Sequence, residues 1–293
     1  MLHIISHVIK LINKVTRRII MKKDYILNTK LADNQAALFY LGQEGYLIKY
    51  QEKYIVIDPY LSAYVDEHCC RDHIIWKRNY PAPIQAEELD FVDYVLLTHD
   101  HFDHADPYTL STIAKCNPKA KFIAAEPIKE TILSYGISAD RFIGAFADEL
   151  IELDGCKVMP IPSAHEELRQ DENGNYMDMG YKVICGDISI YHAGDCCLYD
   201  GLTERVMNVD MLMVPINGRS YYKLRDDIIG NMTIEEALIL AKEANVDMIV
   251  PMHYDLYPIN CENPAHFLDM LYTTNPTLKY HKFMPGERYI VQK

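Results

Sequence analysis

Six consecutive positions, His99-Asp100-His101-Phe102-Asp103-His104, carry three imidazoles and two carboxylates. Such crowding is costly unless something binds the groups, since charges brought together out of water need a partner. Imidazole nitrogens take borderline divalent ions, and a carboxylate in the same cluster adds negative charge and can fix or share a second ion. The stretch can therefore hold two metals. A solvated turn rich in His and Asp is the bland alternative, but random turns seldom place H-x-H-x-D-H directly behind an apolar strand.

That strand is 95–97, Val95-Leu96-Leu97, which ends at Thr98 and sets the cluster on a loop leaving a strand tip. Layered α/β folds build their sites there. If the cluster holds metal, further ligands should stand at strand tips downstream. His165 follows the strand 157–161, Asp195 follows 188–193 and His253 follows 248–251. Each is weak alone, and the three in order are a strong signal. Upstream, the strand 53–58 ends in Asp58-Pro59, which leaves a carboxylate at its tip either to cap a turn or, the favoured reading, to orient a ligand imidazole from behind.

The elements that must position these residues recur in two similar runs. Strands are expected over 36–41, 45–50 and 53–58 as a meander with a tight turn at Gly42-Gln43-Glu44-Gly45, then 95–97 and 121–125. Helices are expected over 107–115, with Pro at its first turn, and over 126–135, closed by Gly136. Strands return at 150–153, 157–161, 179–185, 188–193, 210–216 and 248–251, with helices at 233–243 and 264–272 and a last strand at 288–291. Thr233 and Glu236 form a capping box. Two mixed sheets facing each other, with helices on the outer faces, follow from this order: an α/β sandwich in one domain, 31–293. The irregular stretch 60–90 is expected to be a lid or a subunit contact.

A chain of 293 residues, 49% apolar, can bury a large core. Its net charge is −13, yet residues 1–30 hold seven Lys or Arg against the single acid Asp24, so the body carries −19. Such a body disfavours non-specific nucleic-acid binding. The basic arm, 1–30, shows an apolar stripe at helical spacing and is expected to pack on the body or a neighbouring subunit, in preference to an anionic membrane surface. Self-association into a homo-oligomer is expected on that account. Eight cysteines show neither C-x-x-C spacing nor a disulfide framework and read as reduced thiols in a cytoplasmic protein.

Together these motifs resemble the metallo-β-lactamase superfamily, whose αββα fold and five ordered motifs match Asp58, His99 to His104, His165, Asp195 and His253. The resemblance covers nearly everything after residue 35. It implies two divalent ions, Mn or Zn, one on His99, His101 and His165, the other on Asp103, His104 and His253, with Asp195 bridging. Oxygen-reducing di-iron members place Glu where His101 stands, so hydrolysis rather than redox chemistry is implied. Only 57 residues separate Asp195 from His253, which leaves little room for the clamp domain of the superfamily's nucleases. Tyr191-His192-Ala193-Gly194-Asp195, Met232-Thr233 and Val250-Pro251-Met252-His253-Tyr254-Asp255 are similar to the bacterial L-ascorbate-6-phosphate lactonase group.

That resemblance implies a metal-dependent hydrolase opening a phosphorylated sugar lactone. A phosphodiesterase acting on a phospholipid or cyclic nucleotide is the alternative, and a scaffold without turnover is the least favoured reading. Asp103 or Asp255 could take the proton of the attacking water, with Asp195 serving as a ligand. The substrate, a small anion, is expected to meet the loop 217–225, where Asn217, Arg219, Tyr221, Lys223 and Arg225 offer cations and polar groups suited to a phosphate.

Overall fold

A computed structural model describes residues 21–293. The first sheet contains β1 (Gln35–Gly42), β2 (Gly45–Tyr50), β3 (Lys53–Ile57), β4 (Tyr94–Leu96), β5 (Lys121–Ala125) and β6 (Phe142–Ala145). The second contains β7 (Ile151–Leu153), β8 (Cys156–Pro162), β9 (Met179–Cys185), β10 (Ile188–His192), β11 (Met211–Pro215), β12 (Met248–Met252) and β13 (Lys279–Tyr280). The last strand, β14 (Arg288–Gln292), returns to the first sheet, giving the orders β14-β1-β2-β3-β4-β5-β6 and β13-β12-β11-β10-β9-β8-β7. Each sheet is antiparallel in one half and parallel in the other, with β3 to β6 and β10 to β13 parallel. This is the arrangement of two facing mixed sheets that the strand order implied.

The larger core fills the space between the sheets, uniting Leu38, Ile48 and Ile55 of the first with Val158, Val183 and Ile190 of the second. A second core joins the outer face of the second sheet, through Leu212, Val214 and Ile249, to the helices Ile234–Glu243 and Pro264–Thr274. The capping box forms as expected, with Thr233 Oγ1 accepting from the Glu236 amide and the Glu236 carboxylate accepting from the Thr233 amide. The expected helix 126–135 is divided into a 3₁₀ turn, Glu126–Ile128, and a helix, Lys129–Ser134. Strand β6 escaped notice because Phe142-Ile143-Gly144-Ala145 has no alternation of its own and is a strand only through its parallel partner β5.

The membrane and subunit expectations for the basic arm fall mostly on residues 1–20, outside the described residues. From Met21 onward the chain packs on the body. Met21 is buried and its amide donates to the Pro83 carbonyl at 2.6 Å. The helix Lys23–Leu27 buries Ile26, and Lys49 Nζ donates to the carbonyls of Leu27 and Thr29. No helix among the described residues is long and apolar enough to cross a membrane. The reading of all cysteines as thiols is corrected at one pair. Cys156 and Cys185 are cross-strand partners of β8 and β9 with Cα atoms 4.6 Å apart, and they form a disulfide, while the other six cysteines are unpaired.

Arg141 ties the helix Pro107–Cys116, which follows the His/Asp loop, to the first sheet. Its buried guanidinium donates to the carbonyls of Ala114, Asn117 and Ala120 at 2.7–2.9 Å and lies over the Phe122 ring. Removing it strands three carbonyls at about 1 kcal/mol or more each. Arg141→Ala is therefore expected to lower the unfolding free energy by roughly 3–5 kcal/mol in urea titration. A loss below ~1 kcal/mol would show that water replaces the guanidinium.

Candidate metal centre

The strand tips of both sheets meet at one end of the sandwich. Asp58 follows β3, the His/Asp loop follows β4, His165 follows β8, Asp195 follows β10 and His253 follows β12. Parallel strands that run the same way deliver their C-terminal loops to the same edge, so residues far apart in sequence arrive together. Local backbone strain marks the spot. Asp58 and His253 sit at φ 43° and 55°, a region that side chains with Cβ seldom occupy. Gly194, at φ 60°, packs so tightly that a Cβ there would lie 2.7 Å from Thr98 Cβ, so only glycine lets Asp195 approach.

Two groups of side chains result, each with donor atoms within 4.8 Å of one another: His99, His101, His165 and Asp195, and Asp103, His104 and His253. Asp195 stands between them. Its Oδ2 faces His165 Nε2 at 3.6 Å and His99 Nε2 at 4.0 Å, and its Oδ1 faces His253 Nε2 at 3.2 Å and His104 Nε2 at 3.5 Å. Asp103 Oδ2 lies 3.5 Å from His253 Nε2. Within these groups His99 Nε2, His104 Nε2, His165 Nδ1 and Asp195 Oδ1 are buried without a hydrogen-bond partner among the described residues. Native interiors leave few such atoms, and a convergent set of imidazole and carboxylate donors is what a divalent ion requires. The residues fit the metals that the fold implies.

The imidazoles are oriented from behind. Asp58, fully buried, accepts from the Thr98 amide at 2.8 Å, the Thr98 hydroxyl at 2.6 Å and His104 Nδ1 at 2.8 Å. The Thr98 hydroxyl, having donated to Asp58, accepts from His99 Nδ1 at 3.0 Å. With both Nδ1 atoms protonated by these partners, the Nε2 lone pairs of His99 and His104 face the centre.

The two groups differ electrostatically. Burial, reinforced by the neighbouring imidazoles of His104 and His101, holds His99 well below its ordinary pKa, and burial lowers His165 to about 3. Burial pushes His253 the same way, but Asp195 and Asp103 outweigh it and raise His253 to about 9. His104 is likewise raised by Asp195, Asp103 and Asp58 against the pull of burial. His99 and His165 thus present neutral imidazoles, whereas His104 and His253 hold protons that a metal must displace.

A cavity of about 220 Å³ opens over both groups. Val65, Cys69, Trp76, Phe102, Ile228 and Ile229 wall it, with His101, Asp103, His165, Asp195 and His253 also on its surface. The stretch 60–90 therefore contributes a wall. It is clasped to the opposite side by Arg71, which donates to the Asp226 carbonyl and the Asp227 carboxylate at 3.1 Å, and by His73 beside Asp226.

The substrate-loop residues do not reach this cavity. Arg219 pairs with Glu236 and donates to the Asn231 carbonyl, Lys223 Nζ donates to the Asn217 carbonyl at 2.5 Å, and Arg225 pairs with Asp226. Asn217 is buried against Asn260, and Tyr221 is 73% exposed. The physical reason is a short helix, Tyr221–Arg225, capped by Ser220, which points these side chains elsewhere and leaves Asp227, Ile228 and Ile229 to line the opening. Asp255 also stays apart, accepting from the Tyr80 hydroxyl at 2.6 Å and belonging to neither ligand group. Three site residues were not anticipated. Gln43 Nε2 donates to Asp103 Oδ2 at 2.7 Å and lies 3.1 Å from His253 Nε2. Glu44 is fully buried beside His104, and Arg169 joins Asp178 while approaching Asp100 at 3.9 Å. The first two sit in what reads as a solvated turn, so only the odd pairing of a carboxylate with flanking glycines hinted at them.

Fold and site define a metallo-β-lactamase-type metal centre, and similarity to known proteins agrees. Residues 53–254 match the beta-lactamase superfamily domain, and the chain belongs to that family. The match takes in both ligand groups and Asp58. A UPF0173 metal-dependent hydrolase of Aeropyrum pernix is 29% identical over 269 residues, 87% of this chain and 97% of the relative. One from Saccharolobus solfataricus is 27% identical over 231 residues, 76% of this chain and 86% of the relative. Among solved structures, the metallo hydrolase Igni18 of Ignicoccus hospitalis shares the fold with a TM-score of 0.65 at 22% identity, covering 88% of this chain and 99% of that one. An isothiocyanate hydrolase from Delia radicum gut bacteria does so at 0.68 and 20% identity, over 88% and 100%.

The protonation of the second group sets a pH dependence. His253 is raised from 6.5 to about 9, so its pairing with Asp195 and Asp103 stabilises the metal-free fold fully below pH 6.5 and is lost as pH rises through 9. Bound metal needs the neutral imidazole. The rise in Tm on adding Zn²⁺ or Mn²⁺ is therefore expected to be small at pH 6 and to grow towards pH 9, as read by thermal unfolding with and without metal. A rise that shrinks over that window would contradict the assignment.

Proposed function

We propose that the chain is a two-metal hydrolase acting on a small carbonyl compound, a lactone or ester, whose body is apolar and uncharged. The observation that carries this reading is the placement of Asp195, one oxygen towards each ligand group. When bound, two divalent ions supply an activated water and a Lewis acid for the carbonyl oxygen. The protein's own part is positioning. Asp195 sets the spacing of the two groups, Asp58 and Thr98 hold His104 and His99 in register, and Val65, Trp76, Phe102, Ile228 and Ile229 exclude bulk water and contact the body of the substrate. Asp103 belongs to the second group and also borders the cavity, so it is the carboxylate placed to accept the proton of the attacking water, in preference to Asp255.

The lactone part of this reading rests on the resemblance to the lactonase group. The phosphate part is not retained. A phosphorylated sugar or a phosphodiester needs a cation for the charge held away from the reacting carbon, and no Lys or Arg borders the cavity among the described residues.

Metal-loaded protein is expected to hydrolyse short neutral lactones and aryl esters with a kcat/KM at least roughly tenfold above that for sugar-phosphate lactones or bis(p-nitrophenyl) phosphate. The reverse order would overturn the substrate assignment. His101→Ala is expected to lose on the order of 10³-fold or more in kcat, whereas Arg219→Ala should leave kcat/KM within about threefold on every substrate. A selective loss for Arg219→Ala on phosphorylated substrates would restore the phosphate reading.

A further inference from the structure

Glu44 stands in the turn between β1 and β2, outside the span matched to the family, and no residue role described so far uses it. It is fully buried, and neither of its carboxylate oxygens has a hydrogen-bond partner among the described residues. Unpartnered buried carboxylates are among the rarest features of folded proteins, because desolvation of the charge goes uncompensated. Of the charged groups around Glu44, Asp195 and Asp58 add to this cost while His104 and His253 relieve part of it, and no Lys or Arg is among them. One oxygen lies 4.0 Å from His104 Nδ1, but that nitrogen already serves Asp58 at 2.8 Å, so it cannot satisfy both. The backbone carbonyl of Glu44, by contrast, is used, accepting from His192 Nε2 at 2.7 Å. The turn is thus anchored, and the side chain is aimed inward without a protein partner.

We propose that Glu44 is a further carboxylate ligand of the second metal position, beside His104 and Asp195, and that it biases this position towards a hard, oxygen-preferring ion such as Mn²⁺. The donor atoms of Glu44, His104 and Asp195 lie within 4.8 Å of one another, a spread that one six-coordinate ion can span. His104 belongs both to the group with Asp103 and His253 and to the group with Glu44 and Asp195, so carboxylates outnumber imidazoles around the second position, while the first group keeps three imidazoles and a single carboxylate. Hard ions favour carboxylate-rich sets, and imidazole-rich sets suit Zn²⁺. The charges also balance, since Asp58, Asp103, Asp195 and Glu44 carry four formal negative charges, the number that two divalent ions neutralise. This proposal deepens the two-metal reading and rests on it.

The test is Mn²⁺ titration of the full chain and of Glu44→Gln, followed by calorimetry and by electron paramagnetic resonance. The wild type should take up two Mn²⁺ with a spin-coupled spectrum. Glu44→Gln should keep one site and bind the second Mn²⁺ at least roughly tenfold more weakly, with an isolated-ion spectrum. Its metal-free form should melt no lower than the wild type, because an unpartnered carboxylate has been removed; a purely structural Glu44 would give a lower melting temperature instead. Two Mn²⁺ sites of unchanged affinity in Glu44→Gln would overturn the proposal and leave the two-metal reading intact, while no uptake by the wild type would sink that reading itself. Should Glu44→Gln fail to fold, a crystal structure of the wild type grown with Mn²⁺ decides: a Glu44 oxygen at about 2.0–2.2 Å from the second ion supports the proposal, and one beyond about 3.5 Å overturns it.

Discussion

The rest of the centre depends on the hydrogen bonds that converge on the Asp58 carboxylate. A carboxylate with no exposure to solvent survives only if its lone pairs are met, and here the Thr98 amide, the Thr98 hydroxyl and His104 Nδ1 meet them. Those donors are the first residue of the His/Asp loop and one of its last. Asp58 therefore closes the loop on itself and fixes how His104 faces. Through the Thr98 hydroxyl it also fixes His99. One side chain thus sets the tautomer of an imidazole in each ligand group, which is why the strained backbone at Asp58 is retained: relaxing it would shift both groups at once.

Most of this was legible in the sequence, for a physical reason. Parallel strands covered on both faces, here by the other sheet and by helices, are apolar throughout, so Val95-Leu96-Leu97 and Ile249-Val250 read as buried runs with their ends visible. In this fold the ends are where the chemistry sits, and His99, His165, Asp195 and His253 are all found one to a few residues past an apolar run. What was not legible depends on tertiary placement. Strand β6 exists through its neighbour, and the disulfide of Cys156 with Cys185 depends on the register of β8 and β9, which spacing alone does not reveal. Gln43 and Glu44 have the composition of an exposed turn, and only the second sheet packed over β1 and β2 buries them.

In the loop 217–225 the clustered cations are engaged within the protein. Cations clustered near a strand tip suggest an anion, yet each of these finds a carboxylate or carbonyl close by: Arg219 with Glu236, Lys223 with the Asn217 carbonyl, Arg225 with Asp226. A cation already paired gains little by turning to a ligand, because it must first give up that partner. What the segment after the loop offers to the cavity is Asp227, Ile228 and Ile229, with no cation among them. The clasp of Arg71 and His73 on Asp226 and Asp227 then has a clear purpose, since it holds two irregular segments together as walls over the metal ligands.

The unequal electrostatics of the two ligand groups follow from where their carboxylates fall. Asp195 is shared, but Asp58 and Asp103 both lie on the side of His104 and His253, and their charge holds protons there that the buried His99 and His165 shed. His99 and His165 would offer an ion neutral imidazoles with no proton to displace. A cation held there would oppose protons on Asp195 and on its neighbours His253 and His104, since a bound ion is the largest charge in such a site. One asymmetry in the placement of acidic side chains thus sets the two groups apart twice over, holding protons on the imidazoles of the second and giving that group the larger share of carboxylates.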